Sequence, residues 1–319
     1  MNLRTAESVS PKHPDKICDQ ISDSRLDAAL EQDPLSRVAI EAVGGHKLLV
    51  VIGEITSNAK IDYEKIARQF VDKSYEVKIQ VVEQSPEIAQ GVDTGGAGDQ
   101  GIMVGYACSE TDNFLPLEVD LSRALNKLIY SKFPYDGKTQ VTITDGQITA
   151  VVASFQNASK TELETIIKDW LKDKKTTGTP KIYANPAGDW DIGGFDADTG
   201  LTGRKIAVDS YGPRIPVGGG AFSGKDATKV DRSAAYVARK VAVDYLKKRQ
   251  AKEVFCRLAY AIGVAEPVEA VVIIDDKEEK VEGYDLTPKG IIEFLDLRKP
   301  QFAKTAEYGH FGNGFRWDS

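Results

Sequence analysis

Three stretches of this chain repeat one plan, and that triplication limits the possible fold more than any other feature of the sequence. In each, a helix-like segment is followed by a β-rich apolar run, a polar spacer and a second amphipathic helix. The first comprises His13–Gln32, Lys47–Ile55 and Asp62–Val71; the second Leu121–Phe133, Gln140–Ser154 and Thr161–Leu171; the third Asp231–Lys248, Val268–Ile274 and Thr287–Leu297. The closing helices carry apolar residues at helical spacing, such as Ile66 and Phe70, or Ile166, Ile167 and Trp170. The runs Leu48–Ile52, Val141–Ile143 and Val271–Ile274 are largely β-branched, as strands prefer. A chain of 319 residues is too long for one small core. Three α+β units of about 90–110 residues each match the usual domain size, although a chance recurrence of common elements would look the same at this level. Glycine-dense loops separate the repeats at Gly91–Gly101, Gly188–Gly203 and Gly212–Gly224. Such loops usually carry sites on a scaffold.

The loop Gly218–Asp226 (GGGAFSGKD) is the strongest local signal. Consecutive glycines let backbone N–H groups approach an anion, and the segment leads into a helix N-terminus. Lys225, Lys229 and Arg232 follow at i, i+4 and i+7, which predicts one basic helical face. From Arg204 to Arg232 there are six Lys/Arg against three Asp, a positive excess inside a chain of net charge −7. A patch that opposes the global charge points to a polyphosphate site. It is not a Walker A loop, because Asp226 stands where the hydroxyl should be and Pro213 and Pro216 interrupt any preceding strand. A glycine-rich turn before a solvated basic helix is the plainer alternative.

Two further segments are ambiguous alone. His13-Pro14-Asp15-Lys16 places His13 and Asp15 at the positive end of a helix, with Ser10 as a candidate cap; a turn and ordinary capping would give the same pattern. Gly95–Gly101 holds one carboxylate, Asp99, among its glycines. Asp196–Gly200 imitates an EF-hand opening without the closing Glu, so calcium is rejected there. Three scattered cysteines and three histidines argue against a disulfide framework, a zinc site or a His-based metal centre. The acidic balance argues against nucleic acid. No apolar run approaches the ~18 residues of a membrane span, and Met1–Ser10 has no apolar signal core. A cytoplasmic protein without membrane or nucleic-acid partners is expected.

The motifs Ser8–Ser10, His13–Ile17 (HPDKI), Gly96–Gly101 (GAGDQG), Asp136–Lys138 (DGK), Gly200–Ile206 (GLTGRKI), Gly218–Asp226, Val230–Tyr236 (VDRSAAY), Tyr260–Pro267 (YAIGVAEP) and Tyr308–Gly312 (YGHFG) occur in order from end to end. Together they resemble S-adenosylmethionine synthetase. The resemblance implies an α+β fold of three similar α/β-type domains in a pseudo-threefold arrangement. Boundaries are expected at 1–85, 98–190 and 191–319, with a shortened active-site loop at 86–97. The implied partners are ATP and L-methionine, with Mg2+ (two per site) and K+ as cofactors. A homodimer with active sites at its interface is implied, with a homotetramer as the larger alternative.

Position by position, the resemblance makes His13 a hydrogen-bond partner of the departing 5′ oxygen or the adjacent phosphate and makes Lys138, Arg204, Lys205 and Lys225 the grip on the triphosphate. The nucleotide would also meet Asp136, Asp198, Ala221, Ile262 and Trp190, the last at an adenine-stacking position where the family has Phe. Glu54, Gln84, Asp198 and Lys229 would place methionine. Asp15 and Asp231 would each bind Mg2+, Glu41 would bind K+, and Asp99 belongs to the active-site loop. Without the resemblance, Glu41 and Glu54 read as solvent-facing, Trp190 as core and Asp231 as a first-turn carboxylate. The chain departs from the family in the short stretch Gly91–Ala97, in Asp189 where a basic residue is usual, and in Thr199 where many members have Cys.

Overall fold

The computed structural model describes residues 2–85 and 95–319; the expected active-site loop at 86–97 lies outside them as far as residue 94. In chain order the elements are β1 (Leu3–Val9), α1 (Pro14–Gln32), β2 (Arg37–Gly45), β3 (Leu48–Thr56), α2 (Tyr63–Ala67), β4 (Glu76–Glu83), β5 (Gly101–Cys108), α3 (Leu117–Tyr130), β6 (Gly137–Thr144), β7 (Gln147–Phe155), α4 (Lys160–Leu171), β8 (Thr176–Ala184), β9 (Gly200–Leu201), α5 (Ile206–Asp209), α6 (Val230–Arg249), β10 (Glu253–Tyr260), β11 (Glu269–Ile274), β12 (Lys277–Lys280), α7 (Pro288–Leu295) and α8 (Thr305–Tyr308). Alternation makes the strands: in β2, Val38, Ile40 and Ala42 are buried while Glu41 is exposed. The β2–β3 and β6–β7 hairpins close on two residues at positive φ, His46 and Lys47 (52° and 69°) and Asp145 and Gly146 (49° and 78°). Asp275 and Asp276 (44° and 69°) do the same between β11 and β12. Only Asp145-Gly146 carries the usual glycine signature of such a turn.

The expected repeat is present among the described residues, as an α+β architecture of three four-stranded sheets ordered β4-β3-β2-β9, β8-β7-β6-β1 and β12-β11-β10-β5. One long helix packs on each: α1 on β2 and β9, α3 on β1 and β6, α6 on β5 and β10. In the first two sheets the outer strand arrives through a helix and so runs parallel to its neighbour, β4 beside β3 and β8 beside β7. In the third, β12 fills that place by a hairpin and runs antiparallel to β11. The other edge of every sheet is borrowed. β1, at the start of the first repeat, pairs with β6 of the second; β5, at the start of the second, pairs with β10 of the third; β9, at the start of the third, pairs with β2 of the first.

The expected helix at Asp62–Val71 shortens to α2, capped by the Asp62 carboxylate accepting from the Lys65 N–H. By contrast α4 begins with a full capping box from Ser159 and Glu162. α6 is rich in alanine (Ala234, Ala235, Ala238, Ala242), all buried, which lets it lie against the backbone of β5. A Cβ on Gly105 would stand 2.0 Å from the Ala238 carbonyl oxygen, so glycine is required at that crossing. Among the described residues no helix is long and apolar enough to cross a membrane. Cys18, Cys108 and Cys256 are buried and unpaired, and burial pushes each thiol's pKa up.

Behind α6, His310 is buried with its Nδ1 2.8 Å from the Tyr236 hydroxyl and its ring 4.7 Å from Phe222. Burial, then the Arg232 guanidinium, hold its pKa well below the ordinary imidazole value, so it is neutral in the fold. A depressed pKa contributes stability above the unfolded value of about 6.5 that is lost as pH falls below it. The wild type should lose up to about 1.4 kcal/mol per pH unit below 6.5 from this residue. Urea unfolding of wild type and His310→Gln at pH 7.5 and 5.5 checks this: equal acid sensitivity in both would refute it.

Candidate active site

Helix α1 begins at Pro14 because proline fits the first helical position. Its cap is His13, whose Nδ1 accepts the Asp15 N–H at 3.1 Å. Ser10, the candidate cap, is corrected: its carbonyl takes the His13 N–H at 3.0 Å and its hydroxyl donates to the Tyr135 carbonyl at 2.8 Å. Proline at 14 has no N–H to offer, so the helix starts later than a Ser10 cap would need. With Nδ1 accepting, the His13 proton resides on Nε2. Burial, then the Lys205 ammonium, lower its pKa to about 3, so the ring is a neutral donor at ordinary pH.

Asp15 has no exposed surface. Its Oδ1 accepts the Leu201 N–H at 3.0 Å and faces Arg204 Nε at 3.0 Å, while Oδ2 meets Lys205 Nζ at 2.5 Å. Burial pushes its pKa up, but the Lys205 and Leu201 bonds prevail and hold it below the usual carboxylate range. Lys138 lies alongside: it pairs in register with Val9, and the Ser10 N–H donates to the Gly137 carbonyl at 2.8 Å. Asp136 is buried and accepts the Gly194 N–H at 3.0 Å; burial raises its pKa. Exposed Asp198 is near enough to act electrostatically on both His13 and Asp136. Trp190 is half-buried at the margin, where a Cβ on Gly193 would come within 2.8 Å of its ring.

The Gly218–Asp226 loop reaches this cluster through Ala221, since a Cβ on Gly203 would stand 2.5 Å from its methyl group. Glycine at 218 and 220 is demanded by the protein itself: a Cβ would lie 1.9 Å from the Ile102 carbonyl oxygen and 2.3 Å from the Asp231 carboxyl carbon. Lys225 Nζ is 2.5 Å from Asp231 Oδ2. The expected basic helical face of Lys225, Lys229 and Arg232 does not form. Asp226 is buried, binds the Val38 N–H (2.7 Å), the Thr228 N–H (2.8 Å) and Lys229 Nζ (2.6 Å), and so delays α6 until Val230. Lys225 is therefore in a loop, Lys229 is the N-cap residue, and Arg232 turns into the core to pair with Asp23 at 2.6 and 2.8 Å.

The remaining expected residues stand apart from these two groups. Glu54 and exposed Glu41 are on sheet β4-β3-β2-β9, opposite Ala39 and Ile52 respectively. Ala39 also forms a bridge with Lys225, so Glu54 lies within one strand of the loop. Gln84 follows β4, and its Oε1 is buried with no hydrogen-bond partner among the described residues. Ile262 and Asp99 are exposed on two loops joined by the bonds Ala97 N–H to Val264 O (3.0 Å) and Gly263 N–H to Ala97 O (2.8 Å). Asp15 and Asp231 each supply one carboxylate. Among the described residues no group of three His, Cys, Asp or Glu forms a cage for an ion. That donor set fits an ion such as Mg2+, which keeps waters and takes substrate phosphate oxygens beside one or two carboxylates.

Family models match almost the whole chain in three consecutive pieces: the S-adenosylmethionine synthetase N-terminal domain over residues 1–92, the central domain over 94–190 and the C-terminal domain over 192–319. With the repeat architecture and the cluster around Asp15, these matches place the chain in the S-adenosylmethionine synthetase family.

Proposed function

We propose that the chain is a methionine adenosyltransferase that converts ATP, L-methionine and water to S-adenosylmethionine, phosphate and diphosphate. Family membership supports that activity, and the observation that carries the chemistry is the His13 imidazole capping α1 beside Asp15, whose carboxylate is in turn paired with Arg204 and Lys205. A thioether is a neutral nucleophile with an open lone pair, so no base is required to activate it. The site's work is orientation and the stabilisation of charge growing on the leaving oxygen. His13 Nε2–H donates to the departing 5′ oxygen. Lys138, Arg204 and Lys205 on one side and Lys225 on the other hold the triphosphate, which is hydrolysed in the same grip. Asp15 and Asp231 would hold Mg2+, which would supply Lewis-acid neutralisation of the phosphate oxygens.

Asp136, Asp198, Ala221, Trp190 and Ile262 receive the nucleoside in this reading, and Glu54, Gln84, Asp198 and Lys229 place methionine. Glu41 is the proposed K+ ligand. The sheet face that carries Glu41 and Glu54 also exposes Ile52 and Val82 to 50% and 48%, and a second copy seated there forms the proposed homodimer. Light scattering at assay concentration tests the assembly, and a monomer overturns it. Incubation with ATP, L-methionine, Mg2+ and K+ tests the activity. S-adenosylmethionine should appear with equal phosphate and diphosphate, all dependent on methionine. Methionine-independent ADP and phosphate would instead reveal a simple ATPase, and no turnover would reveal a non-catalytic relative.

A further inference from the structure

Helix α1 carries aspartate at every fourth position: Asp15, Asp19, Asp23 and Asp27. This spacing puts four like charges on one helical face about 6 Å apart. Like charges at i, i+4 destabilise a helix, and Asp15, Asp19 and Asp23 are at most 2% exposed. A buried carboxylate row therefore needs partners on every rung. Each rung has one. Asp15 accepts the Leu201 N–H at 3.0 Å, Asp19 the Gly203 N–H at 2.8 Å and Asp23 the Gly224 N–H at 2.8 Å. Asp27 accepts the N–H groups of Gln301, Phe302 and Ala303 at 3.0, 3.0 and 2.8 Å.

The two middle rungs share a pattern. Gly203 and Gly224 both have φ of +82°, a conformation that favours glycine. Each immediately precedes a cation of the site, Arg204 and Lys205 after the first and Lys225 after the second. Both carboxylates are anchored from behind. Lys16 Nζ lies 3.2 Å from Asp19 and 2.6 Å from Asp209, and the Arg232 guanidinium spans both Asp23 oxygens while donating to the Lys225 carbonyl at 3.0 Å. Ser22, on the same face, adds a 2.8 Å bond to the Thr202 hydroxyl. We propose that Asp19 and Asp23 are positioning residues that fix the backbone of the two cation-bearing loops, so that α1 sets the spacing of the polyphosphate grip. The inference rests on the reading of Arg204, Lys205 and Lys225 as triphosphate ligands.

Asp27 supplies the internal comparison, because its three N–H partners belong to a segment that bears none of those cations. The experiment is calorimetric binding of inorganic tripolyphosphate with Mg2+ to the purified full chain, alongside steady-state kinetics. Asp19→Asn should weaken tripolyphosphate binding and raise KM for ATP by about tenfold, the loss of one charge-assisted anchor. KM for methionine should stay within about twofold, since none of the proposed methionine ligands is carried by that turn. Asp27→Asn should lower the thermal midpoint yet bind tripolyphosphate like the wild type. Ser22→Ala, a milder cut at the same turn, should weaken binding by about threefold and serves if Asp19→Asn does not fold. Unchanged binding in the folded turn variant, or an equal loss in Asp27→Asn, overturns the positioning role. A wild type that binds no tripolyphosphate overturns the parent reading as well.

Discussion

Lys225→Ala should lower turnover by roughly 10²–10³-fold, the usual consequence of removing one preorganised charge-stabilising donor from a reacting centre. The ammonium is held 2.5 Å from Asp231, its side chain is 22% exposed, and the adjacent Gly224 and Asp226 backbones are fixed by Asp23 and Val38 respectively. In the proposed reaction it would therefore meet the leaving group with little reorganisation. The change also leaves Asp231 without its nearest cation, which weakens the argument for any compensating gain. Because the side chain is partly exposed and its loop is tied down by other residues, the fold should survive, and urea midpoints should match the wild type. The loss should fall on kcat more than on KM for methionine. A variant within about threefold of wild-type turnover would remove Lys225 from the mechanism.

Trp317→Ala should cost about 3–5 kcal/mol of stability, the range for emptying a large buried aromatic site. Trp317 is fully buried, stacks on Tyr236 at 3.9 Å and on Phe315 at 5.1 Å, and donates its indole N–H to the His310 carbonyl at 2.7 Å. Asp318 beside it binds Arg239 Nε at 3.1 Å and the Gly312 and Asn313 N–H groups at 2.8 and 3.1 Å. The indole thus closes the aromatic stack behind α6. Urea unfolding followed by far-UV circular dichroism measures the effect; a loss below about 1 kcal/mol would contradict the packing described.

The three repeats are legible because helical periodicity and β-branched runs are local properties of the chain. The strand partners are not, because β1, β5 and β9 find theirs far along the sequence, and alternation says that a strand forms without saying beside what. Turns failed differently: His46-Lys47 and Asp275-Asp276 hold positive φ without glycine, so their chemistry hid the hairpins. In the site, motif resemblance named His13, Asp15, Arg204 and Lys205, which the structure gathers. Spacing misplaced Lys225 and Arg232, because Asp226 captures the Val38 and Thr228 N–H groups and moves the helix start to Val230. Nothing in Trp317 itself distinguished a core aromatic from a terminal one. The aspartates of α1 were open to discovery, since a four-residue spacing of like charges in a helix has a cost that exposed residues would not repeat.

The exchange of leading strands has a consequence for what one repeat can do alone. Sheet β4-β3-β2-β9 is completed by Gly200–Leu201, and that loan is what carries Leu201 to Asp15 and brings Arg204 and Lys205 after it. A single repeat would have an orphan strand, an open edge and half a constellation. The cluster around Asp15 exists only as a property of the junctions, so no repeat can form it by itself.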